Sequence, residues 1–178
     1  MSKLTVAVTK HDHLQGELNA AISLVEYGDY ECPSCDDAQP TIKSLQAHFG
    51  NQISFVFRNF PLREIHPWAE AAAEVAELAG TQGKFWEMHD LLFANQNSLS
   101  ESTILRLIND LGLSEAKMEQ ATAKGLLKDR IDVDFAGGIR SGVNGTPTFF
   151  LNGDRYDGST DFASLAALMD QILVSNGD

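Results

Sequence analysis

The chain has 178 residues, 43% of them hydrophobic and 21% charged, which fits a single globular domain whose core needs no disulfide staples. A formal net charge of −12 argues against nucleic acid and anionic membrane surfaces as partners. No apolar run approaches the ~18 residues of a membrane-spanning helix, so no membrane insertion is expected. The first thirteen residues carry a short apolar stretch broken by Thr5, Thr9 and Lys10, which does not read as a secretory signal. The expected location is therefore the cytoplasm, or the periplasm if the chain is a processed mature form.

Residues 4–9 are β-prone and are expected to form a short edge strand, followed by a polar connector over 10–21. Residues 22–27 read as a buried strand ending at Gly28. After Cys32 and Pro33, residues 34–49 read as a helix with Pro33 in its first turn, a kink at Pro40 and an end at Gly50-Asn51. Residues 53–58 make a second strand. From Pro67 to about Asn95 the pattern predicts two helices separated near Gly80-Thr81-Gln82-Gly83.

A further helix spans 101–111, capped by Ser100 or Ser102, with Ile104, Leu105, Ile108 and Leu111 on one face. Ser114 starts a short helix. Another runs from about Leu126 to Ser141 and is weakened at Gly137-Gly138. Thr148–Leu151 returns to strand character, Asn152-Gly153 supplies a two-residue hairpin turn, and the partner strand lies near Asp154–Tyr156. A last helix covers 161–174, capped by Thr160 or Asp161. The order predicts an α/β fold with a central mixed sheet flanked by helices, one domain over 1–178 with a helical insertion at approximately 63–125.

The chain has two cysteines, and they stand as Cys32-Pro33-Ser34-Cys35. A structural zinc site needs four ligands and a disulfide framework spreads its cysteines to close longer loops, so redox use is the leading reading. The pair follows a buried strand and opens a helix, where unpaired N–H groups and the helix dipole favour a thiolate. Cys32 is accordingly the exposed nucleophile. Cys35, about one turn in, resolves the mixed disulfide formed on Cys32. No metal and no cofactor is expected.

The rest of the chain adds a pattern. Asp12-His13-Leu14-Gln15-Gly16, the run from Leu24 to Cys35, Phe57-Arg58-Asn59-Phe60-Pro61-Leu62, His66-Pro67-Trp68-Ala69, Gln82 to Asp90, and Gly142 to Gly153 follow one another in order. In these blocks the chain resembles the DsbA family of thioredoxin-like thiol–disulfide oxidoreductases, in its single-domain branch. The resemblance implies a thioredoxin-like fold and a cis peptide before Pro147. It also implies that the backbone of Thr146 pairs with a substrate chain like an added strand. It further implies that Glu26 is a buried acid able to take or return the Cys35 proton, a matter strand alternation alone leaves open.

Ser34 departs from the family pattern in which a His between the cysteines stabilises the thiolate. A serine offers at most a weak hydrogen bond, so a less depressed Cys32 pKa and a milder oxidant are expected. Asp29 and Glu31, close to Cys32 in sequence, point the same way by raising the thiol pKa. Pro33 and Ser34 are expected at the substrate-binding rim, together with Tyr30, an aromatic suited to apolar peptides. His11 and His13 are read as solvated, and His66 and His89 as capping or packing residues. Phe85, Trp86, Met88, Leu91, Leu92 and Phe93 are read as core.

These readings make the chain an enzyme that exchanges disulfides with protein or peptide thiols. Its redox partner would be a thioredoxin or glutathione system, or a membrane oxidase. The alternatives are a thioredoxin-like chaperone or adaptor, and a glutathione-dependent transferase or isomerase. The intact cysteine pair counts against both.

Overall fold

Two β-branched and aromatic runs form the parallel centre of the sheet, β2 (Ile22–Gly28) and β3 (Ile53–Asn59), paired from Ile22↔Ile53 to Gly28↔Asn59. The computed structural model describes residues 2–175. β1 (His13–Gln15) flanks β3, and β4 (Thr148–Leu151) and β5 (Asp154–Tyr156) extend the other side, all antiparallel, in the order β1-β3-β2-β4-β5. Between β2 and β3 runs α1 (Pro33–Phe49). The helices α2 (Ala69–Gly80), α3 (Phe85–Ala94), α4 (Glu101–Asp110), α5 (Glu115–Ala123) and α6 (Leu126–Arg140) lie between β3 and β4, and α7 (Phe162–Ser175) ends the described chain. The mixed sheet flanked by helices is thus the thioredoxin-like architecture.

Local chemistry accounts for the boundaries. Ser100 and Ser114 accept the N–H groups of Thr103 and Lys117 and so cap α4 and α5. Asp161 does the same for α7 through Ser164 N–H. Asn152 and Gly153 both take positive φ, 48° and 86°, which suits the tight β4–β5 turn. Helix α1 continues through Pro40, whose missing N–H leaves the Asp36 carbonyl without its usual helical donor.

Each face of the sheet has its own core. Ile22, Leu24, Phe55, Phe57, Phe149 and Leu151 face α1, α7 and the inserted helices. Val25, Tyr27, Val56, Phe60 and Phe150 face the opposite way, where Phe135 of α6 stacks on Phe60 at 4.3 Å between centroids. The Gly137-Gly138 pair, a weakness for a lone helix, is what lets α6 approach. A Cβ on Gly138 would stand 2.8 Å from the Phe60 ring and 3.0 Å from that of Tyr27.

The N-terminal expectation needs correction. Residues 4–9 form no strand of the sheet, and the edge strand is β1, inside the stretch read as a connector. Arg58 explains the exchange. Its guanidinium donates to the carbonyls of Val6 (2.9 Å) and Ala7 (3.1 Å), so a side chain rather than a neighbouring strand satisfies the middle of this β-prone segment. The same Arg58 pairs with Asp12 at 2.8 Å, both side chains buried, and this anchors the chain just before β1.

Candidate active site

Alternation along β2 decides where Glu26 points. It shares a face with Leu24 and lies across from Phe57 and Phe149, under α1. It is 0% exposed, and its Oε1 has no hydrogen-bond partner among the described residues. Its Oε2 accepts from Gln39 Nε2 at 3.4 Å. Burial therefore dominates and pushes the carboxyl up to about 8. The Gln39 amide opposes that rise, the charge on Cys32 adds to it, and the Cys35 thiol opposes it.

Cys32 occupies the N-cap of α1, with Pro33 in the first turn, and both cysteines are free thiols. The Cys32 thiol is pulled down to about 5, chiefly by the hydrogen bond from Cys35. Burial works against this, while the Thr146 hydroxyl and the N–H groups of Cys35 and Ser34 assist. As a thiol, Cys32 donates to the Thr146 carbonyl at 3.2 Å. The Thr146 hydroxyl has no other partner among the described residues, so it is available to the thiolate. The Cys35 thiol is pushed well above its usual range by burial, and next by its bond to Cys32. One sulfur is thus ionised at neutral pH and its neighbour keeps its proton.

The Thr146–Pro147 peptide is cis. Thr146 and Pro147 are half-buried, Pro33 and Ser34 are exposed, and the Thr146 carbonyl lies against Cys32. Cys32 itself is more enclosed than the exposed nucleophile expected from sequence. It is 7% accessible against 0% for Cys35. The Thr146 carbonyl covers one side, and Gln96 closes the loop from the insert by donating to the carbonyls of Tyr30 (3.0 Å) and Cys32 (2.9 Å).

Other expected roles change place. Tyr30 lines no binding surface: it is 1% exposed, and its hydroxyl meets His89 Nδ1 at 3.1 Å. Asp29 and Glu31 do not lead the influences on Cys32, because their carboxylates are engaged elsewhere. Asp29 accepts from the N–H groups of Glu31 and Leu62 and pairs with His66 at 2.8 Å. Glu31 accepts from Trp68 N–H at 2.6 Å. His13 is not solvated but stacks on Phe85 and bonds Glu77 at 2.8 Å.

Gln39, Gln96 and His89 are the residues that sequence reasoning left without a part in the site. Gln39 had a signal, since it lies one helical turn after Cys35. Gln96 had none. Among the described residues no cluster of three or more His, Cys, Asp or Glu side chains could hold a metal. No helix is long and apolar enough to cross a membrane among them.

A family model described as Thioredoxin matches residues 8–171. The solved thioredoxin-like oxidoreductase from Silicibacter pomeroyi superposes with TM-score 0.77 at 23% identity, covering 92% of each chain. BdbD from Bacillus subtilis does so with TM-score 0.80 at 19% identity, covering 97% of this chain and 98% of that one. A curated relative, Na(+)/H(+) antiporter NhaA 1 of Salinispora arenicola, is 45% identical over 158 residues, which are 88% of this chain and 24% of the antiporter. The chain thus spans about a quarter of the length of the curated relatives it matches.

Proposed function

The chain belongs to the thioredoxin family, with the fold of DsbA-type proteins, and from that premise we propose that it exchanges disulfides with protein or peptide substrates through Cys32 and Cys35. The observation that carries this reading is the split between the two sulfurs at the start of α1. Cys32 sits near 5 and Cys35 well above the usual thiol range.

The Cys32 thiolate attacks a substrate disulfide R–S–S–R′. A Cys32–S–S–R bond forms, and R′–S⁻ leaves and takes a proton from solvent. Cys35–SH then passes its proton to the Glu26 carboxylate and attacks Cys32 Sγ. The Cys32–Cys35 disulfide forms and R–S⁻ departs. The substrate gains two electrons and the protein loses two. With the pair oxidised at the outset, the same steps run backwards and a substrate dithiol is oxidised.

Substrate approaches over Pro33, Ser34, Thr146 and Pro147, and the Thr146 backbone offers it strand-like pairing. Direction follows the compartment and the partner. A thioredoxin or glutathione system in a reducing cytoplasm keeps the pair as dithiol and makes the protein a reductase, whereas a membrane oxidase in a periplasm makes it an oxidant.

Reduction of insulin by the wild-type protein with dithiothreitol tests the reading. Cys32→Ser should abolish turnover, and Cys35→Ser should accumulate a mixed disulfide on Cys32. Turnover that survives Cys32→Ser overturns it.

The identity to antiporters favours a second reading, in which this unit serves as a redox module beside a Na⁺/H⁺ exchanger. Exchange measured in vesicles bearing such an antiporter should then change with the oxidation state of the pair. Indifference to it would remove this reading.

A further inference from the structure

Behind the cysteines lies a buried line of polar groups that the exchange chemistry above leaves without a role. Gln39 Nε2 stands 3.1 Å from the Cys35 carbonyl and 3.4 Å from Glu26 Oε2. Gln39 Oε1 stands 3.1 Å from His89 Nε2, and His89 Nδ1 stands 3.1 Å from the Tyr30 hydroxyl. Tyr30, Gln39 and His89 are each buried.

The direction of every bond follows from the first. A backbone carbonyl can only accept, so the Gln39 atom facing Cys35 O is the amide nitrogen. Its carbonyl oxygen therefore faces His89, and His89 Nε2 must carry the proton. A neutral imidazole then has its lone pair on Nδ1, which accepts from Tyr30 O–H. Turning the amide over would set its oxygen against the Cys35 carbonyl and against an ionised Glu26. The ring stays neutral because it is packed among Phe57, Trp86 and Phe93, with centroids 4.7, 5.0 and 5.0 Å away. Burial lowers its pKa to about 3, and Lys43 on α1 and His13 on β1 add to that.

Resting on the redox reading, we propose that His89, held by Tyr30, is a positioning residue for the proton exchange between Glu26 and Cys35, because it locks the Gln39 amide with its N–H groups toward both. The charged and titratable groups around this line are Cys32 and Cys35 at the start of α1, Lys43 further along it, Asp90 on α3 beside His89, His13 on β1 paired with Glu77 of α2, and Asp134 of α6. Without the His89 N–H the Gln39 oxygen loses its donor, the amide is held only through its contacts to the Cys35 carbonyl and Glu26, and its 3.4 Å bond to Glu26 loosens. The Glu26 carboxylate is then less well stabilised, and its proton is held more tightly. Resolution of the mixed disulfide would then need a higher pH.

Two measurements test this. In the reduced wild type, nitrogen-15 correlation of the histidine rings should show His89 as the neutral Nε2–H tautomer with no protonation down to about pH 4. An Nδ1–H tautomer, or titration near the ordinary ~6.5, overturns the proposal. In single-turnover release of a peptide from Cys32, His89→Leu and Gln39→Leu should each move the pH limb up by about one unit. The double variant should move it no further, because the two residues act as one device. His89→Gln, which keeps a donor, should restore the wild-type limb, and the Cys32 thiolate titration should stay in place throughout.

An unshifted limb in folded, active His89→Leu, or additive shifts, overturns the positioning role and leaves the redox reading intact. If His89→Leu does not fold, the tautomer and the His89→Gln limb decide. A wild type that forms no mixed disulfide at all removes both.

Discussion

Glu26 and Asp12 are carboxylates on opposite faces of one sheet, and the surroundings treat them differently. Asp12 meets the Arg58 guanidinium at 2.8 Å and the backbone N–H of Thr9 at 2.8 Å. Burial alone would raise its pKa, but those partners, with Arg130 nearby, leave it below the ordinary value. Among the described residues Glu26 has no cation beside it, one amide at 3.4 Å and an unpartnered oxygen, and it rises to about 8. Asp12 is built to stay charged and hold the N-terminal segment. Glu26 is built to change its protonation near neutral pH. A buried acid without a cation marks where the chain keeps chemistry rather than an anchor.

The comparison can be broken most forcefully at Arg58. Arg58→Met leaves Asp12 buried without its partner and the Val6 and Ala7 carbonyls without donors. Denaturant unfolding should show a loss of roughly 3–5 kcal/mol. Insulin reduction per folded molecule should not change. A loss under about 1 kcal/mol would mean that the pair is no anchor.

Glu26→Gln should do the reverse, keeping stability and slowing release of the mixed disulfide by about 100-fold. It also exposes a cancellation. The folded Glu26 value, about 8, lies above the ordinary 4.5, so its contribution to stability is full below 4.5 and is lost as pH rises through about 8. The folded Cys32 value, about 5, lies below 9.0, so its contribution is present above 9.0 and is lost as pH falls through about 5. Between about pH 6.5 and 8, above the range in which His89 and Asp134 contribute, the two slopes oppose each other. Reduced wild type should therefore be nearly flat there, Glu26→Gln should gain stability with rising pH, and Cys32→Ser should lose it. Parallel profiles for all three would contradict the assignment.

Much of this architecture can be read in the chain itself. Strand runs, serine caps, the Asn152-Gly153 turn and the cysteine pair before a helix are local signals, and each sits within a few residues of what it specifies. The misreadings share a cause at longer range. Residues 4–9 have strand propensity, yet the carbonyls of Val6 and Ala7 are taken by Arg58, some fifty positions away. Tyr30 is next to the motif in sequence but is drawn inward by His89 of the insert. Asp29 and Glu31 flank Tyr30 just before Cys32 in sequence but are turned to His66 and Trp68. Gln96 closes the active-site loop with nothing in its neighbourhood to announce it. Which way Glu26 faces follows only once the β2–β3 and β2–β4 registers are set.

The ultraviolet absorbance of the thiolate, followed against pH in the reduced protein, bears on the account most directly. A single midpoint near 5, absent in Cys32→Ser, is the predicted result. It lies between the about 3.5 of DsbA and the about 7 of thioredoxin, as Ser34 between the cysteines leads one to expect. A midpoint near the ~8.5 of a free cysteine, or an absorbance that persists without Cys32, would contradict it.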